Sequence, residues 1–318
     1  MSEGAVAPLA GFDLFDDLPE EELAALARTM RRRAFRAGQV IWRQGDDAGE
    51  LVFVAEGRVS ISLQLPGGAT VEVSRVGPGE MMGELGVIDG GHRPVTATAT
   101  EPTTVLMLSR TDFRALVSRR DPTAFAVKRR IARIGCARLR EQYATLAESL
   151  GGGAAPGAAA PAELEYRGPP DSRYVRRLAT FRAFDSLALW GFLTAGRYAL
   201  APPNRTLVAE GTASPACYLT INGAVEKVIV RGGRRIRVGL AGPGLAFGYE
   251  TMIDGGPSPV TAITRERTLV LALPTAAFER LFGGEQPESH VFLDVIHRDL
   301  TGSLRQALRP QARLAVSL

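Results

Sequence analysis

"GPGEMMGELGVIDGGHRPVTATATEPTTVLMLSRTDF", residues 77–113, returns 165 residues later without a gap as "GPGLAFGYETMIDGGPSPVTAITRERTLVLALPTAAF", residues 242–278. Gly77/Gly242, Pro78/Pro243, Gly79/Gly244, Gly83/Gly248, Asp89/Asp254, Val95/Val260 and Phe113/Phe278 keep register. An internal repeat of this length means that one supersecondary unit is used twice. Upstream, "QGDDAGELVFVAEGRVSISL" pairs with "EGTASPACYLTINGAVEKVIV" after a one-residue change of offset, which a surface turn absorbs.

Each copy reads as strands followed by helix. In "RVSISLQL" (58–65), Val59, Ile61, Leu63 and Leu65 alternate with polar residues, and Pro66-Gly67-Gly68 turns the chain into "TVEVSRV". Short strands separated by turn signals predict a jelly roll in each copy. "LFDDLPEEELAALARTM" (14–30) and "FRAFDSLALWGFL" (181–193) read as helices docked before the two rolls. "GGGAAPGAAAPAELEYRGPP" (151–170) has almost nothing to bury and reads as a flexible linker. The expected architecture is therefore mainly β with flanking helices: a first domain over 1–150, a linker over 151–172 and a second domain over 173–318.

The helix after the first roll, 122–150, carries two apolar stripes. Val127, Ile131 and Ile134 form one; Ala132, Cys136, Leu139, Tyr143, Leu146 and Leu150 form the other at alternating intervals of four and three. That spacing is the interval of a two-helix seam, which predicts a homodimer through the second stripe. The alternative is that both stripes fold back on the same chain.

Composition narrows the function. The chain has 318 residues, 45 % of them apolar, and a net charge of +4. Residues 1–150 carry 19 Lys and Arg against 20 Asp and Glu, and the remainder 19 against 14, so neither half is basic enough to demand nucleic acid. No run of 18 uncharged apolar residues exists and the first residues lack a basic signal region, which predicts a cytoplasmic protein with no membrane partner. Cys136 and Cys217 fit neither a zinc site nor a disulfide framework. His92, His290 and His297 lack metal-ligand spacing, and no G-x-S-x-G nucleophile motif is present, so no metal, no cofactor and no enzymatic activity are expected.

Several motifs occur in a fixed order. Phe35, Gly38, Val40, Ile41 and Gly45 form an entry pattern, followed by G-R-V at 57–59, G-P-G at 77–79, G-E-L at 83–85 and an Arg ahead of V-T-A. This order resembles the cyclic-nucleotide-binding domain of catabolite-activator proteins, cyclic-nucleotide-gated channels and regulatory subunits of cAMP-dependent protein kinase. The resemblance implies cAMP or cGMP as ligand in the first domain. There Glu84 accepts from the ribose hydroxyl, Arg93 pairs with the cyclic phosphate, and Gly83, Leu85, Pro94, Val95 and Thr96 complete the site.

The physics of a singly charged phosphodiester agrees: a buried guanidinium can neutralise it through parallel hydrogen bonds, and a glycine lets backbone approach it. Pro94 departs from the pattern because it offers no N–H. In the second copy Tyr249 replaces Glu84 and Ser258 replaces Arg93, so an anion would find no countercharge and no cyclic nucleotide is expected to bind there. An apolar residue of helix 122–150, Ile134 or Tyr143, is the expected cap over the base. Two readings follow. One is a sensor that relays nucleotide binding through helix 122–150 to an unidentified protein partner; the other is a nucleotide-independent dimeric scaffold. A helix-turn-helix after a sensor roll is not seen in the sequence, so DNA is not an expected partner.

Overall fold

The computed structural model describes Phe12 and residues 19–65, 67–118, 122–149, 151, 164–171, 175–176, 178–182, 185–231 and 234–316. They fall into two compact units, one comprising residues up to Ile131 together with those from Ala315 onward, and one running from Ala132 to Leu314.

The first unit opens with α1 (Glu20–Thr29), whose Leu23 and Leu26 are buried. Eight strands follow: β1 (Arg31–Phe35), β2 (Val40–Trp42), β3 (Glu50–Glu56), β4 (Val59–Gln64), β5 (Thr70–Val76) and β6 (Met81–Met82), then, after the short helix α2 (Glu84–Asp89), β7 (Thr96–Ala99) and β8 (Thr103–Ser109). They build two antiparallel four-stranded sheets, in the orders β1-β8-β3-β6 and β2-β7-β4-β5. This is the expected jelly roll. The alternation read in residues 58–65 appears as buried Val59, Ile61 and Leu63, and Val59 and Ile61 fill the space between the sheets with Trp42, Val52, Val54, Ala97, Val105 and Met107. Phe12 packs edge-on against Phe53 with ring centres 5.7 Å apart, a geometry worth about 0.5–1.5 kcal/mol beyond burial. Helix α3 (Arg110–Ser118) closes the roll, and α4 (Pro122–Ser149) follows.

The second unit repeats the plan. β9 (Glu165–Arg167) precedes α5 (Ser186–Leu193), and the roll proper consists of β10 (Arg197–Ala201), β11 (Thr206–Val208), β12 (Cys217–Asn222), β13 (Val225–Arg231), β14 (Arg234–Ala241), β15 (Ala246–Phe247), the short α6 (Glu250–Asp254), β16 (Thr261–Thr264) and β17 (Thr268–Leu273). The sheets run β15-β12-β17-β10-β9 and β11-β16-β13-β14, the same order as in the first unit with one strand added at an edge. Helices α7 (Thr275–Gly283) and α8 (Pro287–Val316) end the unit. Asp185 caps α5, accepting from Leu187 N and Ala188 N at 3.0 and 2.9 Å.

Two expectations are corrected. Residues 165–167, assigned to the linker by composition, pair with β10 through Tyr198, Ala199 and Leu200, and Arg197 stacks on Tyr166 at 3.6 Å. The small residues end before this stretch, and Glu-Tyr-Arg supplies a strand with an aromatic face. The linker residues 152–163 lie outside the described residues.

The second correction concerns α4. The division between the units falls inside this helix, and Ala132, Cys136, Leu139, Tyr143 and Leu146, the stripe assigned to a second copy, are each at most 2 % exposed in the single chain. The stripe is already covered, by the alternative in which it folds back; Leu150 lies outside the described residues. Spacing reports that a face is buried and is silent about what buries it.

Candidate functional site

The site in the first roll is built around the turn that joins β6 to α2. Gly83 adopts φ +85°, and a Cβ there would collide with Arg93 Nη1 and lie 2.9 Å from the Glu50 carbonyl oxygen. Only glycine satisfies both the left-handed backbone and that space. Glu84 begins α2 and is 5 % exposed; Leu85 follows on the helix, its side chain outside the described residues.

Arg93 is also 5 % exposed. Its Nη1 donates to Gly83 O at 3.2 Å and its Nη2 to Glu50 O at 2.8 Å, while the guanidinium lies over the Trp42 ring, 4.0 Å from its centre. A guanidinium has five N–H donors, and the buried Arg93 Nε finds no partner among the described residues. Burial pushes the guanidinium below its ordinary pKa, opposed by the charges of Glu50, Glu84 and Asp46. A buried cation with spare donors is a receptor for an anion.

The backbone holding Arg93 is fixed from the β2 side: Arg93 N donates to Asp46 O at 2.8 Å and Gly45 N donates to Arg93 O at 2.9 Å. Pro94 is half-buried, and Val95 packs on the core while its carbonyl accepts from Trp42 Nε1 at 3.0 Å. Thr96 starts β7, and its hydroxyl accepts from Gln44 N at 3.0 Å. The structure thus brings Gly83 and Arg93 into direct contact and sets Glu84 beside them. Ile134 and Tyr143, the expected base caps, belong to the part of α4 grouped with the second unit.

In the second roll the same backbone carries different chemistry. Gly211 N donates to Ser258 O at 2.9 Å and Ser258 N to Thr212 O at 2.8 Å, the pattern seen around Arg93. Ser258 turns its hydroxyl onto its own chain, donating to Val260 O at 2.7 Å. Tyr249, at the position of Glu84, is fully buried, and its hydroxyl donates to Asp299 Oδ2 at 2.7 Å. Gly248 again has positive φ, +76°, but here a Cβ would meet Ser214 Oγ at 2.7 Å. Arg140 of α4 grips Asp254, the last residue of α6, with Nε and Nη2 at 3.0 and 2.8 Å and also donates to Pro257 O.

Sequence reading missed Trp42, Arg140 and Asp299, and with them Lys227 of β13, whose ammonium donates to Asp299 Oδ2 at 2.6 Å. One had a visible signal. Lys227 lies two residues from both Val225 and Ile229 in β13, each fully buried, and a charge at an inward position needs a buried partner. Among the described residues no cluster of three His, Cys, Asp or Glu side chains could hold a metal ion. Both cysteines are buried thiols, with pKa values pushed up by burial. No helix among the described residues is long and apolar enough to cross a membrane.

The profile of the family described as "Cyclic nucleotide-binding domain" matches residues 32–120 and 200–284. The chain is 35 % identical over 133 residues to the cyclic AMP receptor protein of Thermus thermophilus, a match covering 42 % of this chain and 60 % of that one. It is 34 % identical over 110 residues to a cyclic nucleotide-gated potassium channel of Mesorhizobium japonicum, covering 35 % of this chain and 29 % of the channel. The chain therefore spans less than two thirds of either relative, 60 % of the first and 29 % of the second. Among solved structures, it is similar to the regulatory domain of Toxoplasma gondii PKA in a co-crystal with cAMP, at 22 % identity over 89 % of this chain and 93 % of that one, with a TM-score of 0.35.

Proposed function

The chain belongs to the cyclic nucleotide-binding domain family, which it represents twice, and on that premise we propose that its first roll binds cAMP or cGMP and passes the event through helix 122–149 to a protein partner. The observation that carries this reading is Arg93: a buried guanidinium held by two carbonyls and an aromatic ring, with a buried N–H left over. The cyclic phosphate takes the spare donors of Arg93, and Glu84 accepts from the ribose. Gly83 keeps side-chain bulk away from both. The ligand shifts the helix only by as much as it prefers one helix position over another.

Pro94 weakens this site without abolishing it. One lost hydrogen bond to a charged group costs about 1.5–3 kcal/mol, which places the affinity roughly ten- to a hundredfold below that of a site with the N–H. In the second roll the receptor cation is replaced by Ser258, and no nucleotide binds.

The test is isothermal titration of the full chain with cAMP and with cGMP, beside Arg93→Ala. One site that disappears in the variant is the expected result. A folded protein giving no heat at millimolar ligand would overturn the reading and leave a nucleotide-independent scaffold.

A further inference from the structure

Lys227, in the second unit, is only 2 % exposed, and the proposed function makes no use of it. Strand register places it on the inner face of the roll: Lys227 lies opposite Ala262 in β16, as Ile61 lies opposite Ala97 in β7, and Ala262 and Ala97 both belong to the cores between the sheets. Directly opposed residues of an antiparallel pair share a face. A lysine has therefore replaced a core isoleucine.

Its partner is Asp299 of α8, 4 % exposed and 2.6 Å from the ammonium. The same carboxylate oxygen receives the Tyr249 hydroxyl at 2.7 Å, and Ser303 accepts from Lys227 Nζ at 3.1 Å. Burial holds the Tyr249 phenol far above its ordinary pKa, so it stays a donor. Helices α4 and α8 open on Pro122 and Pro287, and in that register Asp299 stands where α4 has Ile134. Three exchanges between the copies, Ile61 to Lys227, Glu84 to Tyr249 and Ile134 to Asp299, thus supply a cation, a neutral donor and an anion that satisfy one another.

We propose that the second roll is a self-liganded site in which the Asp299 carboxylate is the resident anion and Lys227 with Tyr249 its receptor. Removing one partner of a buried pair strands the other, whereas removing both need not destabilise. A chain-borne carboxylate also keeps its place whatever the concentration of small anions, so this roll stays filled and serves as a fixed body. The inference is independent of nucleotide binding in the first roll, since none of its residues belongs to that site.

The experiment is thermal unfolding of the full chain carrying Asp299→Gly, with sodium acetate titrated against sodium chloride at constant ionic strength. Acetate restores the missing carboxylate, so it raises the melting temperature of Asp299→Gly by several degrees while leaving the wild type and Lys227→Met/Asp299→Gly unmoved. A folded Asp299→Gly that ignores acetate, or a wild type that responds equally, overturns the proposal. Should Asp299→Gly fail to fold, Asp299→Leu is compared with Lys227→Met/Asp299→Leu. The double variant is expected to melt higher than the single, and one that melts no higher overturns the proposal.

Discussion

The Arg93 guanidinium lies 4.0 Å from the centre of the Trp42 ring, and the indole N–H of the same tryptophan donates to Val95 O at 3.0 Å. Trp42 therefore fastens the loop around Arg93 at two points, side chain and backbone. A cation over an aromatic face is worth roughly 0.5–2 kcal/mol. Trp42→Leu is expected to weaken cyclic nucleotide binding about 2–30-fold by titration calorimetry, since its energy scales with that interaction. Trp42 is one of two tryptophans, so in a Trp190→Phe chain its emission should change on ligand addition. Unaltered affinity in Trp42→Leu would show that the ring does not hold the arginine.

Arg93→Lys keeps the charge and loses the planar fork. The ammonium cannot serve Gly83 O, Glu50 O and a phosphate with the same geometry. Binding should fall at least tenfold, on the order of one charge-assisted hydrogen bond, with thermal stability changed far less than affinity. Equal affinity for Lys and Arg would mean that charge alone recruits the ligand.

Pro94→Ala restores a backbone N–H at the residue after the arginine. Tighter binding by roughly ten- to a hundredfold is expected in calorimetry. No gain would place that N–H away from the phosphate.

Gly83→Ala forces a side chain into φ +85° and against Arg93. A strained left-handed residue costs about 1–3 kcal/mol, which denaturant unfolding would read, and nucleotide binding should be lost with it. Full affinity in the variant would contradict the close packing of Gly83 and Arg93.

The second unit should lose stability as pH rises. Glu250 is 2 % exposed, and burial raises its pKa, opposed by Lys227 and Arg140 and reinforced by Asp299. The folded chain then holds a proton that the unfolded chain has released, over the window from the ordinary carboxylate range up to the raised value. Unfolding free energy falls with pH across that window. Glu250→Gln should flatten this dependence in denaturant titrations; an unchanged slope would assign it to other groups.

Much of the first site was legible in residue order because its determinants are local. Gly83 and Arg93 sit ten residues apart in a repeated segment, and a glycine that must take positive φ or an arginine facing an apolar run announces itself by type and spacing. Trp42 was not legible: it meets Arg93 only because β2 pairs with β7, placing Trp42 opposite Ala97. The linker shows the same division. Its Gly/Ala/Pro part could be read from composition, while the strand at 165–167 depends on an edge of β10 that no local property reveals.

By itself the sequence determined the duplication, the strand alternation that makes two rolls, and the replacement of Arg93 by Ser258 in the second copy. These are matters of residue type and period, which the backbone obeys within a few residues. The tertiary structure alone decided which surface covers the apolar stripe of α4 and which carboxylate answers Lys227, found 72 residues away in Asp299. A burial pattern states that a face leaves water, since that energy is non-directional; the identity of the partner emerges only when the sheets and helices have closed around it.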